Sequence, residues 1–268
     1  MKLTKFFARH PVFTVGEFRE FLAREGTGNL WTRKSLLAHH RRQGRVVPIR
    51  RGLYAVVPSE STPDAFPVDP HLLAAKAAPG AVLAYHTAME FHGRAHSVFK
   101  RFYYLADRKS APFGFRSFQF VSVLHPKTLR DKGQQEFEVK RGGRAGLDVQ
   151  VTSLERTLVD LLDRPDLGGG WEEIWRSLES VEYYALDKVV EYAVLLGNAT
   201  TVAKVGFFLD QHKEQLMVED RHLDPLRAHR PSKPHYLDRR KRESGRVVTD
   251  WGLVVPKEVL DRSWEEVT

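Results

Sequence analysis

The sequence predicts an α+β protein in three stretches. Three helices and a hairpin come first, a proline-rich connection follows, and a mixed α/β region with a helical C-terminal portion completes the chain. Three observations predict this. Apolar residues recur at helical spacing in the first forty residues and then give way to two β-prone runs around a glycine. Pro58 to Pro70 holds four prolines together with Ser59, Ser61 and Thr62, the composition of a linker. Beyond it, β-prone runs alternate with helical ones until about residue 160, after which helical periodicity dominates.

Leu3 to Arg9 reads as a short helix stopped by His10-Pro11, because proline lacks the N–H a helix needs. Thr14 with Glu17 forms a capping-box pattern ahead of Val15, Phe18, Phe21 and Leu22, which share one face. Gly26-Thr27-Gly28 breaks the chain. Asn29 is suited to cap a third helix that runs to about Gln43 and ends at Gly44. Val46 to Ile49 and Leu53 to Val57 then read as two strands around Arg50-Arg51-Gly52. The predicted boundaries are 1–57 for this first domain, 58–70 for the linker and 71–268 for the rest.

In that remainder, Arg101–Ala106, Phe118–Leu124, Glu136–Lys140 and Leu147–Val151 read as strands. Thr152-Ser153-Leu154-Glu155 reads as a second capping box opening a helix with Leu154, Leu158, Leu161 and Leu162 on its apolar face. Helices are expected near 171–178, 187–196 and 201–216. Residues 221–246 contain three prolines and little periodicity and read as an exposed basic arm. Val247–Val255 suits a final strand or hairpin.

Charge is unevenly placed. The chain nets +8, yet residues 1–57 carry 12 Lys/Arg against 3 Asp/Glu and residues 221–246 carry 9 against 3, while the remaining stretches are mildly acidic. Concentrated positive charge attracts polyanions. The chain has no cysteine, which excludes disulfides, thiolate metal sites and cysteine nucleophiles. No apolar run approaches the roughly 18 residues of a membrane span, and no secretion signal opens the sequence, so a cytoplasmic protein without membrane partners is expected.

Three helices followed by a hairpin is the order of a winged helix-turn-helix, whose third helix enters the DNA major groove. On a helical wheel Leu30, Leu36 and Leu37 point inward. Trp31, Thr32, Ser35, His39 and Arg42 point outward, flanked by Lys34 and Arg41. With Arg33, and with Arg50 and Arg51 on the hairpin turn, these are the expected DNA-contacting residues. Arg239, Arg240, Lys241 and Arg242 are the expected phosphate contacts of the arm. Other chemistry has thinner support. His86, His92 and His96 are close in sequence, but Gly93 interrupts their helix and no full ligand set appears; neither a metal nor a cofactor is expected. Glu138-Val139-Lys140 fits the loose pattern of Mg²⁺-dependent nucleases, with Asp107 or Asp131 as the further acid; ordinary charge pairing explains it as well. Arg156 and Asp160 suit an i,i+4 salt bridge on a helix, or a polar network or contact surface. Gly168-Gly169-Gly170 lacks the lysine of a phosphate loop and reads as a turn.

Three motifs in order carry a family resemblance. They are Gly44-Arg45-Val46-Val47-Pro48-Ile49-Arg50-Arg51-Gly52-Leu53-Tyr54-Ala55, then Ala84-Tyr85-His86-Thr87-Ala88-Met89-Glu90-Phe91-His92-Gly93, and then Val151-Thr152-Ser153-Leu154-Glu155-Arg156-Thr157-Leu158-Val159-Asp160-Leu161-Leu162 with Pro165 and Gly168-Gly169 beyond. Over about residues 3–215 the chain resembles the AbiEi-type antitoxins, transcriptional regulators of type IV toxin–antitoxin systems. Arg33 and His40 depart from the pattern, standing where such third helices bury an aliphatic residue. The resemblance implies a non-enzymatic protein whose winged helix binds double-stranded operator DNA and represses its own operon. It also implies a C-terminal antitoxin domain that counters a nucleotidyltransferase-type toxin without a stable complex. Symmetric operators pair with two protein copies, so two molecules on inverted repeats are expected. Two rival readings are a stand-alone transcription factor whose C-terminal domain senses or dimerises, and a nuclease built on Asp107, Glu138 and Lys140.

Overall fold

The computed structural model describes residues 2–26, 30–238 and 245–264. The chain divides into two compact units. The first draws on Met1–Leu83, Lys100–Val123 and Arg141–Gln150, the second on Ala84–Phe99, Leu124–Lys140 and Val151–Thr268.

The first unit opens with α1 (Lys2–Arg9), β1 (Val12–Thr14), α2 (Val15–Arg24), α3 (Leu30–Arg42), β2 (Val46–Arg50) and β3 (Leu53–Val56). α1 stops where expected. His10 turns back so that its Nδ1 lies 2.9 Å from the Phe6 carbonyl, and its ring stacks on Phe6 at 4.3 Å. The capping box of α2 is formed: Thr14 Oγ1 accepts from the Glu17 amide and the Thr14 amide donates to Glu17. The expected Asn29 cap of α3 lies outside the described residues. β1 is a strand the sequence did not announce. It pairs antiparallel with β3, which also pairs with β2, giving a three-stranded sheet of order β1-β3-β2. Gly52 at the β2–β3 turn takes φ +83°, a conformation that costs glycine little and other residues more. Phe6, Phe13, Phe18, Leu22, Leu37 and Val46 form the core beneath these elements. Its close aromatic pairs bury large apolar area for few rotatable bonds.

Residues 58–69 contain no helix or named strand, but they are pinned. Phe66 is buried, and Arg116 donates to its carbonyl and lies 4.5 Å over its ring. Asp69 then caps α4 (Pro70–Ala75), accepting from the His71 amide at 2.9 Å, and Arg144 binds the same carboxylate at 2.5 Å. The largest sheet contains β4 (Val82–Leu83), β5 (Arg101–Ala106), β6 (Phe113–Phe115), β7 (Phe118–Leu124), β8 (Val139–Arg144) and β9 (Leu147–Thr152), in the order β6-β7-β5-β4-β9-β8. Three of the four predicted strands fall where the β-prone runs lie. The fourth starts at Val139 rather than Glu136, because Glu138 adopts φ +49°, outside the strand region.

The second unit is mainly helical: α5 (His86–Phe91), α6 (Lys127–Lys132), α7 (Leu154–Asp163), α8 (Trp171–Glu179), α9 (Leu186–Leu196), α10 (Ala199–Gln211) and α11 (Asp220–His229). It closes with β10 (His235–Tyr236), β11 (Gly245–Val248), β12 (Leu253–Pro256) and α12 (Lys257–Asp261), the strands ordered β10-β12-β11. The cap of α7 is one residue later than the predicted box: Ser153, not Thr152, accepts from the Arg156 amide at 3.2 Å. Inside α10, Gly206 leaves room for the Trp251 ring, where a Cβ would sit 2.0 Å from the nearest ring carbon. The stretch expected to be an arm is structured over much of its length. Asp220–His229 is a helix despite Pro225, because Leu223 and Leu226 are fully buried and that burial offsets the lost backbone bond. Arg239, Arg240, Lys241 and Arg242 lie outside the described residues. Among the described residues no helix is long and apolar enough to cross a membrane.

Candidate nucleic-acid interface

The geometry of α3 sorts its residues by face. Leu37 and His40 are buried and Leu36 is half-buried, while Trp31, Thr32, Lys34, Ser35, His39, Arg41 and Arg42 are exposed. Trp31 is 76% exposed, with the Lys34 ammonium 5.5 Å from its ring centre. The residues expected to face DNA therefore share one solvent-facing surface. Arg33 belongs to the same helix. Serine, threonine, histidine and three cations supply donors and acceptors for base edges and phosphates.

The hairpin separates the two arginines that the sequence treated alike. Arg51 is exposed at the turn. Arg50 is half-buried, with its guanidinium 4.7 Å over the Phe113 ring and Nη1 shielded from solvent. A guanidinium held on a ring presents less of itself to a phosphate. His40 keeps the position where an aliphatic residue was expected. It is buried, edge-on to Phe7 with ring centres 5.1 Å apart.

The second unit gathers most of the remaining polar chemistry. His86 is fully buried, stacked on Phe99 at 3.8 Å, with Nε2 3.0 Å from Glu173 and Nδ1 3.2 Å from Glu90. Glu173 also accepts from the Ser97 amide and the Ser177 hydroxyl at 3.0 and 3.1 Å. His92 bonds the Thr152 carbonyl at 2.8 Å. These histidines are thus held by carboxylate and carbonyl partners. Among the described residues no group of three or more His, Asp or Glu is placed to hold a metal. Burial opposes the charge on His86, but Glu173 and Glu90 outweigh it and raise its pKa. Burial likewise opposes the Glu173 charge, yet His86 and Ser97 lower its pKa to about 2.

A pH dependence follows. A raised folded-state pKa means that the stabilisation from His86 is complete below its unfolded value, about 6.5, and is lost as pH rises through the folded one. Glu173 contributes fully above its own unfolded value and loses its contribution only as pH falls toward about 2. Melting curves should therefore show the advantage of wild type over His86→Gln shrinking as pH rises above about 6.5. A difference that stays constant across that range would refute the charged pair.

Arg156 and Asp160 do not form the surface bridge their spacing suggests. They are 0% and 2% exposed, with Nε 3.4 Å from Oδ2. Arg156 Nη1 donates to the carbonyls of Gln135 and Phe137 at 2.8 and 2.6 Å, and the Tyr192 hydroxyl donates to Asp160 Oδ1 at 2.7 Å. This rules out Arg156 as part of a contact surface. The Glu138 carboxylate pairs with Lys140 at 2.9 Å, and Asp131 with Lys127 at 2.5 Å. Asp107 follows β5, from which β4 and β9 separate β8 in the sheet. Sequence reading missed Lys204: it is buried in α10, donates to the Leu162 carbonyl at 2.9 Å and lies 5.2 Å from the Trp171 ring centre. It lines a cavity of about 430 Å³ with Asp163, Arg164, Trp171 and Thr201. Only the Trp171–Lys204 pairing across two helices reveals it, and no local pattern signals that.

The described elements thus define a mixed α/β protein with a basic, solvent-facing helix beside a hairpin in its first unit. No protein-family model matches the chain, and no curated protein matches it. Among solved structures, the crystal structure of the RV2827C protein from Mycobacterium tuberculosis is similar. It has a TM-score of 0.60 and 18% identity, covering 97% of this chain and 91% of that one. The likeness is one of fold.

Proposed function

We propose that this protein is a DNA-binding antitoxin that represses its own operon and counters a nucleotidyltransferase-type toxin. The element order α1-β1-α2-α3-β2-β3, with sheet order β1-β3-β2, supports reading the first unit's opening as a winged helix. The observation that carries the DNA-binding reading is the two-faced α3. Leu37 and His40 anchor it while Trp31, Thr32, Lys34, Ser35, His39 and Arg42 face solvent, with Arg51 exposed on the neighbouring turn. The surplus of 12 basic over 3 acidic residues in positions 1–57 favours a polyanion there.

The antitoxin half of the reading rests on the three motifs in order. Two molecules on an inverted repeat, and a toxin opposed without a stable complex, belong to that half. A gel shift with the DNA upstream of its own gene tests the DNA-binding half. Full-length protein should shift that DNA, and affinity should fall steeply with salt, as counterion release requires. Equal affinity after deletion of residues 1–60 would refute it.

A further inference from the structure

Behind the exposed face of α3 lies a cavity of about 610 Å³, entirely within the first unit. Leu3 and Phe7 of α1, with Val56 and Pro58 at and after the end of β3, give it apolar walls, and His40 and Arg45 are its basic members. The volume is in the range of small-molecule sites.

His40 makes the cavity more than a packing gap. The residue is 7% exposed, and neither ring nitrogen has a hydrogen-bond partner. A shielded polar atom without a partner is costly, and native structures leave few. Nearby positive charge acts in the same direction as burial. Burial, then His39, then Arg45 lower the His40 pKa, so the ring is neutral and offers one donor and one acceptor. Arg45 is exposed in the turn between α3 and β2 and brings a permanent cation to the same lining.

These features define an occupant. The walls favour an aliphatic body. Arg45 and the histidine donor favour an anionic head that accepts hydrogen bonds. The positive charge of Arg45 disfavours an amine. A purely apolar molecule would leave the imidazole unsatisfied.

We propose that this cavity binds a medium-chain carboxylate, with its tail against Leu3, Phe7, Val56 and Pro58 and its head at Arg45 and His40, and that the bound carboxylate alters DNA affinity through α3. The coupling rests on the DNA-binding reading. His40 is on the inner face of the helix whose outer face carries Lys34, Ser35 and His39, and the His39 and His40 rings are 5.5 Å apart. A ligand that engages His40 therefore acts on the helix that reads DNA.

The test uses the full chain with sodium octanoate, and octylammonium chloride as the opposite-charge control. Titration calorimetry should show saturable octanoate binding, no octylammonium binding, and affinity weakened about tenfold or more in His40→Phe. That substitution keeps a ring against Phe7 and removes both unpartnered nitrogens. Arg45→Gln, a change at an exposed residue, should weaken octanoate similarly and serves should His40→Phe not fold. Absence of saturation, equal binding of the two probes, or undiminished binding by the folded variants overturns the site. A gel shift with and without octanoate reads the coupling. An unchanged DNA affinity at saturating octanoate overturns the coupling alone. Octanoate binding without any DNA shift leaves the cavity assigned and refutes the DNA-binding reading; a DNA shift without octanoate binding does the reverse.

Discussion

Replacing Lys34, Arg42 and Arg51 together by alanine should weaken binding to the chain's upstream DNA about a hundredfold at moderate salt. Each phosphate contact displaces condensed counterions and contributes roughly 0.9 to the slope of log affinity against log salt, so three lost contacts should flatten that slope by about three. All three side chains are exposed, which keeps the cost to folding small. Arg50 is left out because it lies over Phe113; removing it would confound packing with phosphate contact. The triple variant should lose affinity for all sequences alike, since phosphates carry no sequence information. Changing Ser35 or His39 should instead shift the preferred sequence, each lost base contact costing about 1–3 kcal/mol of discrimination. An unchanged salt slope in the triple variant would mean that α3 and the hairpin do not meet the backbone.

The residues of this face were legible because helical spacing alone sorts them. Leu36 and Leu37 point one way and Thr32, Ser35 and His39 the other, whatever else the chain does. Capping is equally local, and Thr14 with Glu17 formed the expected box. Elements decided by distant contacts were not legible. β1 and β6 have three residues each, too few to show a period, and exist because β3 and β7 offer partners. Pro225 argued against a helix, and the buried Leu223 and Leu226 overrode it. Arg50 and Arg51 are neighbours in a basic turn, and only the presence of Phe113, sixty-odd residues on, separates their roles. The unpartnered nitrogens of His40 were also invisible; the sequence showed only a histidine at an aliphatic position.

Arg156→Ala should destabilise the second unit by about 3–5 kcal/mol, the range for removing one partner of a buried pair. That is a large share of a domain's usual stability of about 5–15 kcal/mol. An exposed i,i+4 bridge would lose only about 0.2–0.5 kcal/mol, so the experiment separates the two readings of this pair cleanly. The loss has three parts: an uncompensated Asp160 charge, the unpaired carbonyls of Gln135 and Phe137, and the space left under the Tyr192 ring. Asp160→Asn should cost less, since an amide oxygen still accepts from Tyr192. The charge part can be isolated by pH. Burial already pushes the Asp160 pKa up to about 6, with Arg156 pulling it down; without the arginine it rises further. A raised folded-state pKa gives stability that is present at low pH and lost as pH rises. The deficit of Arg156→Ala relative to wild type should therefore shrink between about pH 7 and pH 5, whereas the deficit of Arg156→Ala/Asp160→Asn relative to Asp160→Asn should not. Denaturant titrations of the four proteins at both pH values measure this. A deficit below about 1 kcal/mol at pH 7 would place the pair in solvent. A larger deficit independent of pH would assign the loss to packing and the two carbonyls rather than to the stranded charge.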